Sequence, residues 1–267
     1  MQSESVLTNV RAPKVVRARR LLKRGLRQAD GLFLAEGPQA CREAAAVGRI
    51  KELFVTPESF ERYPQIVELV EKFHGTVTVA TPTVIGEFSS TVSPQGMTAM
   101  ASMWQNTPSE TLNADSKLVV ALAAVRDPGN AGSVIRVADA AGADGVIMSD
   151  DSVDLFNPKV VRASVGSIFH LPITTDQPIL DTIAQARVLG MQVLAADGTG
   201  VPLYTGVELA KPTLWVFGNE AWGIPPEILS AVDQVVSIPI YGQAESLNLA
   251  TASAVCLYAS AQAQRVI

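Results

Sequence analysis

Thiols and imidazoles are scarce in this chain, which has two cysteines (Cys41, Cys256) and two histidines (His74, His170) in 267 residues. Two cysteines cannot build a disulfide framework, and their apolar, helical surroundings read as reduced, buried thiols. The histidines are isolated and no Cys/His cluster has metal-ligand spacing, so no metal site is expected. There is no run of about 20 apolar residues, which argues against a membrane span. The opening MQSESVLTNVRAPKVV lacks the apolar core of an export signal. These absences point to a cytoplasmic protein. What is present is apolar material: 48% of the residues are hydrophobic, enough for real cores, and the length suits two domains or one large one.

The formal net charge is −5, an unpromising sum for a polyanion binder, but its distribution is uneven. Residues 1–30 hold eight Lys/Arg (Arg11, Lys14, Arg17, Arg19, Arg20, Lys23, Arg24, Arg27) against Glu4 and Asp30, a net +6 that leaves −11 for the remainder. A basic segment on an acidic body suits local phosphate contacts. A solvated helix face is the plainer reading of the same charges.

Hydrophobic periodicity predicts a basic helix over 13–29, a strand at 32–35, a helix to 47, a strand at 52–56 and a helix over 64–73. A strand at 76–80, a short helix over 81–88 and a strand at 97–103 follow. This is a compact α/β unit, assigned to 1–104. The polar stretch 105–116 has the composition of a linker. The second half, 117–267, alternates strands (118–124, 145–149, 168–173, 192–196, 214–217, 235–238) with helices (131–141, 158–165, 179–189, 225–231, 246–263). Continuous apolar strands between helices argue for a parallel sheet covered on both faces. Ligands of such sheets bind outside the carboxyl ends of the strands.

Three segments stand at such ends. Asp127-Pro128-Gly129-Asn130-Ala131-Gly132-Ser133-Val134-Ile135-Arg136 turns into a helix, with Asn130 a candidate cap. Gly129-x-x-Gly132 lacks the full dinucleotide-binding glycine spacing. Phe217-Gly218-Asn219-Glu220-Ala221-Trp222-Gly223-Ile224 is a glycine-bearing turn after a strand. Ile238-Pro239-Ile240, then Glu245-Ser246-Leu247-Asn248-Leu249-Ala250, opens the last helix with Ser246 as its expected N-cap. Free backbone N–H groups and a Ser/Asn pair meet at that junction. Each segment taken singly is also compatible with an ordinary capped helix or βα loop.

Together and in this order the three segments resemble the motifs of the SpoU/TrmH branch of the SPOUT superfamily, RNA 2′-O-ribose methyltransferases. The resemblance implies an α/β protein. Its C-terminal parallel-sheet SPOUT domain carries a deep trefoil knot, a rare exception to unthreaded topology. A small, ribosomal-protein-like α/β RNA-binding domain precedes it, matched by Phe33-Leu34-Ala35-Glu36-Gly37 after Arg19-Arg20-Leu21-Leu22. S-adenosylmethionine is the implied cofactor, held by Ala195, Ala196, Gly198, Phe217, Gly218, Asn219, Ile238, Leu247 and Asn248. Asn130, Arg136, Glu220, Ser246 and Asn248 are the implied catalytic group. Arg17, Arg19, Arg20, Arg24 and Arg162 are the candidate RNA contacts. Arg162 lies in Asn157-Pro158-Lys159-Val160-Val161-Arg162-Ala163-Ser164-Val165-Gly166, where Ser164 and Gly166 would adjoin the ribose. A surface arginine beside close helix packing explains that segment equally well. The implied partners are RNA, ribosomal first and transfer RNA next, and a second copy of the chain, with no membrane and no metal.

A sulfonium methyl is already electrophilic, so the protein's task is to align a ribose 2′-hydroxyl with it and favour the developing alkoxide. Family mechanisms make Arg136 the base. A guanidinium with a pKa above about 12 is a poor base in water, so assistance through charge is the firmer expectation. A non-catalytic RNA-binding protein that kept the fold is the alternative. A nucleotide-dependent oxidoreductase has only the α/β alternation in its favour.

Overall fold

The computed structural model describes residues 6–265. The chain divides into two compact units, one made of 1–104 with 154–169 and the other of 105–153 with 170–267.

The first unit opens with α1 (Pro13–Arg20) and α2 (Arg24–Asp30). The expected single basic helix is broken at 21–23, where Leu21, Leu22 and Lys23 turn the chain by bonds to the carbonyls of Ala18, Arg19 and Arg20. Then follow β1 (Leu32–Glu36), α3 (Pro38–Ala46), β2 (Ile50–Val55), α4 (Pro57–Arg62), α5 (Pro64–Lys72), β3 (Thr76–Val79), α6 (Pro82–Gly86) and β4 (Met97–Ser102). Proline stands at the first turn of most of these helices, where its missing N–H costs no helical bond. The four strands form one sheet in the order β1-β4-β2-β3, with β4 antiparallel to both neighbours. Val15, Ala18 and Leu21 of the first helical region pack with Leu34, Phe54, Val84, Ile85 and Phe88 in its core.

In the second unit the polar stretch after β4 contains α7 (Pro108–Thr111), closed by a Thr107/Glu110 capping box. Next come β5 (Leu118–Leu122), α8 (Pro128–Ala141) and β6 (Gly145–Met148). The chain then contributes α9 (Pro158–Ala163) and a short 3-10 turn (Ser167–Phe169) to the first unit, and returns as β7 (Ile173–Thr174). The strand expected over 168–173 is therefore mostly a turn, because Val165 and Gly166 take positive φ and redirect the chain. α10 (Ile179–Val188), β8 (Gln192–Pro202), β9 (Thr213–Phe217), α11 (Pro226–Ala231), β10 (Gln234–Ser237) and α12 (Leu249–Arg265) complete the unit.

Its six strands form a parallel sheet in the order β10-β8-β9-β5-β6-β7. The β5 and β9 strands are buried at every residue, as parallel strands covered on both faces require. One side chain set (Val119, Ala121, Val193, Leu214, Val216) packs with Ile179, Ile183 and Ile228 of the helices. On α12, Ser260 receives a 2.9 Å hydrogen bond from the buried Trp215 indole of β9. That bond satisfies a polar group which would otherwise be costly inside the core.

Candidate active site

The β8 strand positions the first wall of the site by leaving the sheet. It pairs with β10 through Ala195↔Val235, and pairing resumes only at Val201↔Val236. Residues 196–200 therefore bulge out of the ladder. Asp197 accepts bonds from the Thr199 N–H and hydroxyl at 3.0 and 2.7 Å, which shapes the excursion. Ala196, Asp197 and Gly198 consequently line a cavity of about 410 Å³. Ala195 stays in the strand, fully buried and outside that lining.

The turn after β9 supplies the second wall. Asn219 and Gly223 exchange both backbone hydrogen bonds at 2.9 Å, closing a tight loop around Glu220, Ala221 and Trp222. Gly223 has φ +73°, a conformation that favours glycine. Gly218 is required for a different reason, since a Cβ there would lie 2.5 Å from the Gly223 carbonyl oxygen and from Ile224. The Asn219 side chain, 6% exposed, donates to the Ala124 carbonyl at 2.6 Å and accepts from the Ala221 N–H at 2.8 Å. It thereby pins the loop to the end of β5.

The third wall is the segment between β10 and α12, with Ile238, Ile240, Glu245, Ser246, Leu247 and Asn248 on the cavity. Ser246 does not cap α12. Asn248 does, accepting from the Ala250 N–H at 2.9 Å. At α8 the expected cap is likewise displaced. Asp127 accepts from the Asn130 N–H at 2.8 Å, so the helix starts at Pro128 and Asn130 lies in its first turn with its side chain released.

That release builds the central feature of the site. Asn248 Nδ2 donates to Asn130 Oδ1 at 2.9 Å, and Asn130 Nδ2 donates to Glu220 Oε1 at 2.8 Å. The polarity of this relay is fixed from one end. The N-terminal N–H groups of α12 demand an acceptor, so Asn248 must turn its oxygen towards Ala250. Its nitrogen then faces Asn130, which must accept there and donate to Glu220. Each amide keeps one N–H, and Glu220 keeps one oxygen, for a ligand.

Of the residues expected at the site, the structure brings Asn130, Glu220, Ser246 and Asn248 to one cavity with Ala196, Gly198, Phe217, Gly218, Asn219, Ile238 and Leu247. Arg136 is on α8 but does not line it; the side chain is exposed and forms no hydrogen bond or ion pair among the described residues. Sequence reasoning gave no role to Val236, Ala252 and the motif residue Ile224, which give the cavity apolar surface. Their apolar character looks like ordinary core.

The basic residues of the first unit separate into two groups. Arg17, Arg20 and Arg24 are exposed, and Arg19 is exposed but paired with Glu87 at 2.9 Å. Arg27, 2% exposed, is structural: its guanidinium pairs with Asp154 and donates to the Leu21 and Leu22 carbonyls at 2.9 and 3.1 Å. Arg162 donates to Ser90 and lies 3.7 Å from the Glu36 carboxylate. The Ser164 hydroxyl donates to the Val161 carbonyl at 2.8 Å, and Gly166 abuts the Glu43 side chain. Among the described residues no group of three His, Cys, Asp or Glu could hold a metal ion, and no helix is long and apolar enough to cross a membrane.

Comparison with known proteins decides what this arrangement is. Residues 117–258 match the SpoU rRNA Methylase family, and residues 12–99 match the MRM3-like substrate binding domain. The 23S rRNA guanosine 2′-O-methyltransferase RlmP of Bacillus subtilis is 33% identical over 85% of this chain and 87% of its own length. The chain belongs to the SpoU rRNA methylase family. An AdoMet-bound rRNA methyltransferase from Sinorhizobium meliloti shares the fold over 97% of both chains, with a TM-score of 0.84 and 31% identity. The SpoU methyltransferase AviRb from Streptomyces viridochromogenes, solved with AdoMet, covers 94% of this chain and 98% of its own at a TM-score of 0.80 and 27% identity. This SpoU methylase is an S-adenosylmethionine-dependent RNA 2′-O-ribose methyltransferase.

The cavity suits that cofactor. It is bounded by the β8 bulge, the turn after β9 and the segment before α12, carries apolar surface from Phe217, Ile224, Val236, Ile238 and Leu247, and is lined by the acidic residues Asp197, Glu220 and Glu245. Apolar walls suit an adenine, and carboxylates suit the sulfonium and ammonium charges.

Proposed function

We propose that this SpoU methylase modifies ribosomal RNA of the large subunit, with transfer RNA the second choice. The 23S rRNA activity of RlmP and the match to a substrate-binding domain over residues 12–99 support that choice. The observation that carries the site assignment is the Asn248–Asn130–Glu220 relay, which joins three segments up to 118 residues apart at one cavity.

Bound S-adenosylmethionine supplies a methyl group made electrophilic by its sulfonium. Ala196, Gly198, Phe217, Gly218, Asn219, Ile238, Leu247 and Asn248 hold the cofactor, chiefly through backbone groups. The relay presents the free amide N–H groups of Asn130 and Asn248 and the free oxygen of Glu220 to the ribose, fixing its orientation. Ser246 closes the same edge. Arg136 lies six residues beyond Asn130, about 9 Å along the helix axis, and contacts the hydroxyl or a flanking phosphate of the incoming nucleotide. Its charge favours loss of the 2′-hydroxyl proton as oxyanion character develops.

Residues 1–104 select the RNA through Arg17, Arg19, Arg20 and Arg24 with Arg162, and 117–267, apart from the 154–169 stretch that packs with the first unit, form the methyltransferase domain behind the segment 105–116. The protein works in the cytoplasm as a homodimer. Support for the dimer comes from α12, which leaves Tyr258 exposed beside α8 with its hydroxyl on the Ala140 carbonyl at 3.3 Å. The deep knot belongs to the same reading: after the edge strand β10 the chain returns as α12 to pack on α8 and β9.

The test is Arg136→Ala. Methyl transfer to ribosomal RNA is expected to fall at least a hundredfold, while S-adenosylmethionine binding by calorimetry stays within about twofold, a loss of about 2.7 kcal/mol confined to the reacting state. Near-normal turnover would remove Arg136 from the mechanism.

A further inference from the structure

The loop that carries Glu220 also carries the one tryptophan of the second unit that faces outward. Trp222 is 54% exposed, whereas Trp215 is fully buried. The half-exposed ring stands at the tip of a tight loop, and neither the core nor the relay uses it. The Arg126 guanidinium lies over the ring, 4.9 Å from its centroid. Arg126 is itself exposed and directly precedes Asp127, the cap of α8. The two residues therefore flank the two catalytic-loop segments. Trp222 lies two residues past Glu220 and one before Gly223, both on the cavity, and Arg126 stands four residues before Asn130.

We propose that Trp222 and Arg126 form a stacking platform for an unpaired nucleobase of the RNA substrate, next to the ribose being methylated. The reading rests on the assignment of the cavity as the transfer site. An indole face suits any base, because every base has a π-face, and single-stranded or looped RNA is commonly bound by such stacking. With the guanidinium covering one side of the indole, the exposed remainder offers the other side to the base. The guanidinium also supplies positive charge to the phosphate of the same nucleotide, and its planar shape stacks as well as pairs. Phosphate contacts position a nucleic acid without reading it, so the pair sets which loop enters the site and in what orientation, and leaves base identity to other contacts. Both residues bind substrate and take no part in proton or methyl movement. The expected signature is a change in the RNA KM with kcat and cofactor affinity preserved.

The experiment uses the full chain, S-adenosylmethionine and a ribosomal RNA transcript that the wild-type protein methylates. Trp222→Ala is expected to raise the RNA KM roughly 5- to 150-fold, the range for losing one base–aromatic stack. Trp222→Phe recovers most of that loss, and Arg126→Ala gives a smaller rise with a shallower salt dependence. S-adenosylmethionine binding by calorimetry stays within twofold in all three. Quenching of tryptophan fluorescence by a short unpaired oligoribonucleotide is expected in the wild type and lost in Trp222→Phe. An unchanged RNA KM in Trp222→Ala overturns the proposal. So does a shift in sedimentation coefficient in that variant, which would assign the ring to contact between copies of the chain. Failure of the wild type to bind S-adenosylmethionine would instead refute the site assignment, a result separable from either.

Discussion

Replacing Asn130 with aspartate tests the relay without disturbing its frame. The substitution is isosteric, so one oxygen still accepts from Asn248, while the other replaces the N–H that now lies 2.8 Å from Glu220 Oε1. Two carboxylate oxygens then face each other with no hydrogen between them. At an effective dielectric of 20 two charges about 4 Å apart repel by about 4 kcal/mol, and in open water by about 1 kcal/mol. Glu220 is exposed and Asn130 half-buried, so the lower half of that range applies. The expected loss is about 1–2 kcal/mol, a 5- to 30-fold fall in kcat/KM for RNA. Helix α8 does not suffer, because Asp127 remains its cap and an acidic side chain in the first turn favours the helix dipole. The repulsion acts in the folded chain and is relieved on unfolding, so the same loss of about 1–2 kcal/mol should lower the melting temperature by roughly 2–8 °C. The pair also predicts a pH dependence. Mutual repulsion raises the affinity of the pair for a shared proton, which restores an O–H···O bond. The ratio of variant to wild-type activity should rise as the pH falls towards 5. It is measured from initial rates of tritiated methyl transfer across pH 5–9. A variant with wild-type kcat/KM and a flat ratio would refute the reasoning.

Three further outcomes follow from other parts of the molecule. Gly218→Ala forces a Cβ to within 2.5 Å of the Gly223 carbonyl, so the loop must open; S-adenosylmethionine affinity should drop more than tenfold by calorimetry while the fold persists by circular dichroism. Arg27→Ala removes the cationic partner of the half-buried Asp154 carboxylate, which is left with the Phe156 N–H, and should cost about 2–4 kcal/mol in denaturant unfolding of the first unit, whereas the triple change of Arg17, Arg20 and Arg24 to Ala should leave stability alone. In that triple variant the slope of log Kobs for RNA against log salt should fall by about two units. Burial pushes the Cys41 thiol far up and that of Cys256 up to about 12, so both remain protonated and unreactive below pH 9; Ellman's reagent should count no thiols until the protein is unfolded, and then two.

Much of the fold was readable because parallel strands buried on both faces announce themselves as continuous apolar runs. The expectations for β5, β6, β9 and β10 came within two residues of the observed ends. The loops were harder, for identifiable reasons. Asp127 and Asn130 are both good caps, and so are Ser246 and Asn248; choosing between them needs the position of the first helical N–H, which only tertiary packing decides. The choice matters, since capping by Asp127 is what leaves the Asn130 amide available to Glu220. The β8 strand runs on to Pro202 although Asp197-Gly198 reads as its end, because the bulge of 196–200 is stabilised by a partner strand about forty residues away. The basic segment read as one helix because its charges have no period; the division of labour between the buried Arg27 and the exposed Arg17, Arg20 and Arg24 depends on Asp154, distant in sequence. The motif residues were legible as a set only through resemblance. Their spacing alone is compatible with ordinary βα loops, and nothing local reveals that Asn130, Glu220 and Asn248 touch. Arg136 shows the converse: its motif position marked it, yet its side chain stands apart from the cavity.

Nucleoside analysis of the reaction product bears most directly on the account. Ribosomal RNA incubated with the protein and S-adenosylmethionine carrying a deuterated methyl group is digested to nucleosides and examined by mass spectrometry. The label should appear on ribose alone, at a single nucleotide, and should fall at least tenfold when Glu220 is replaced by Ala. Label on a base, or undiminished ribose label in the Glu220 variant, would contradict it.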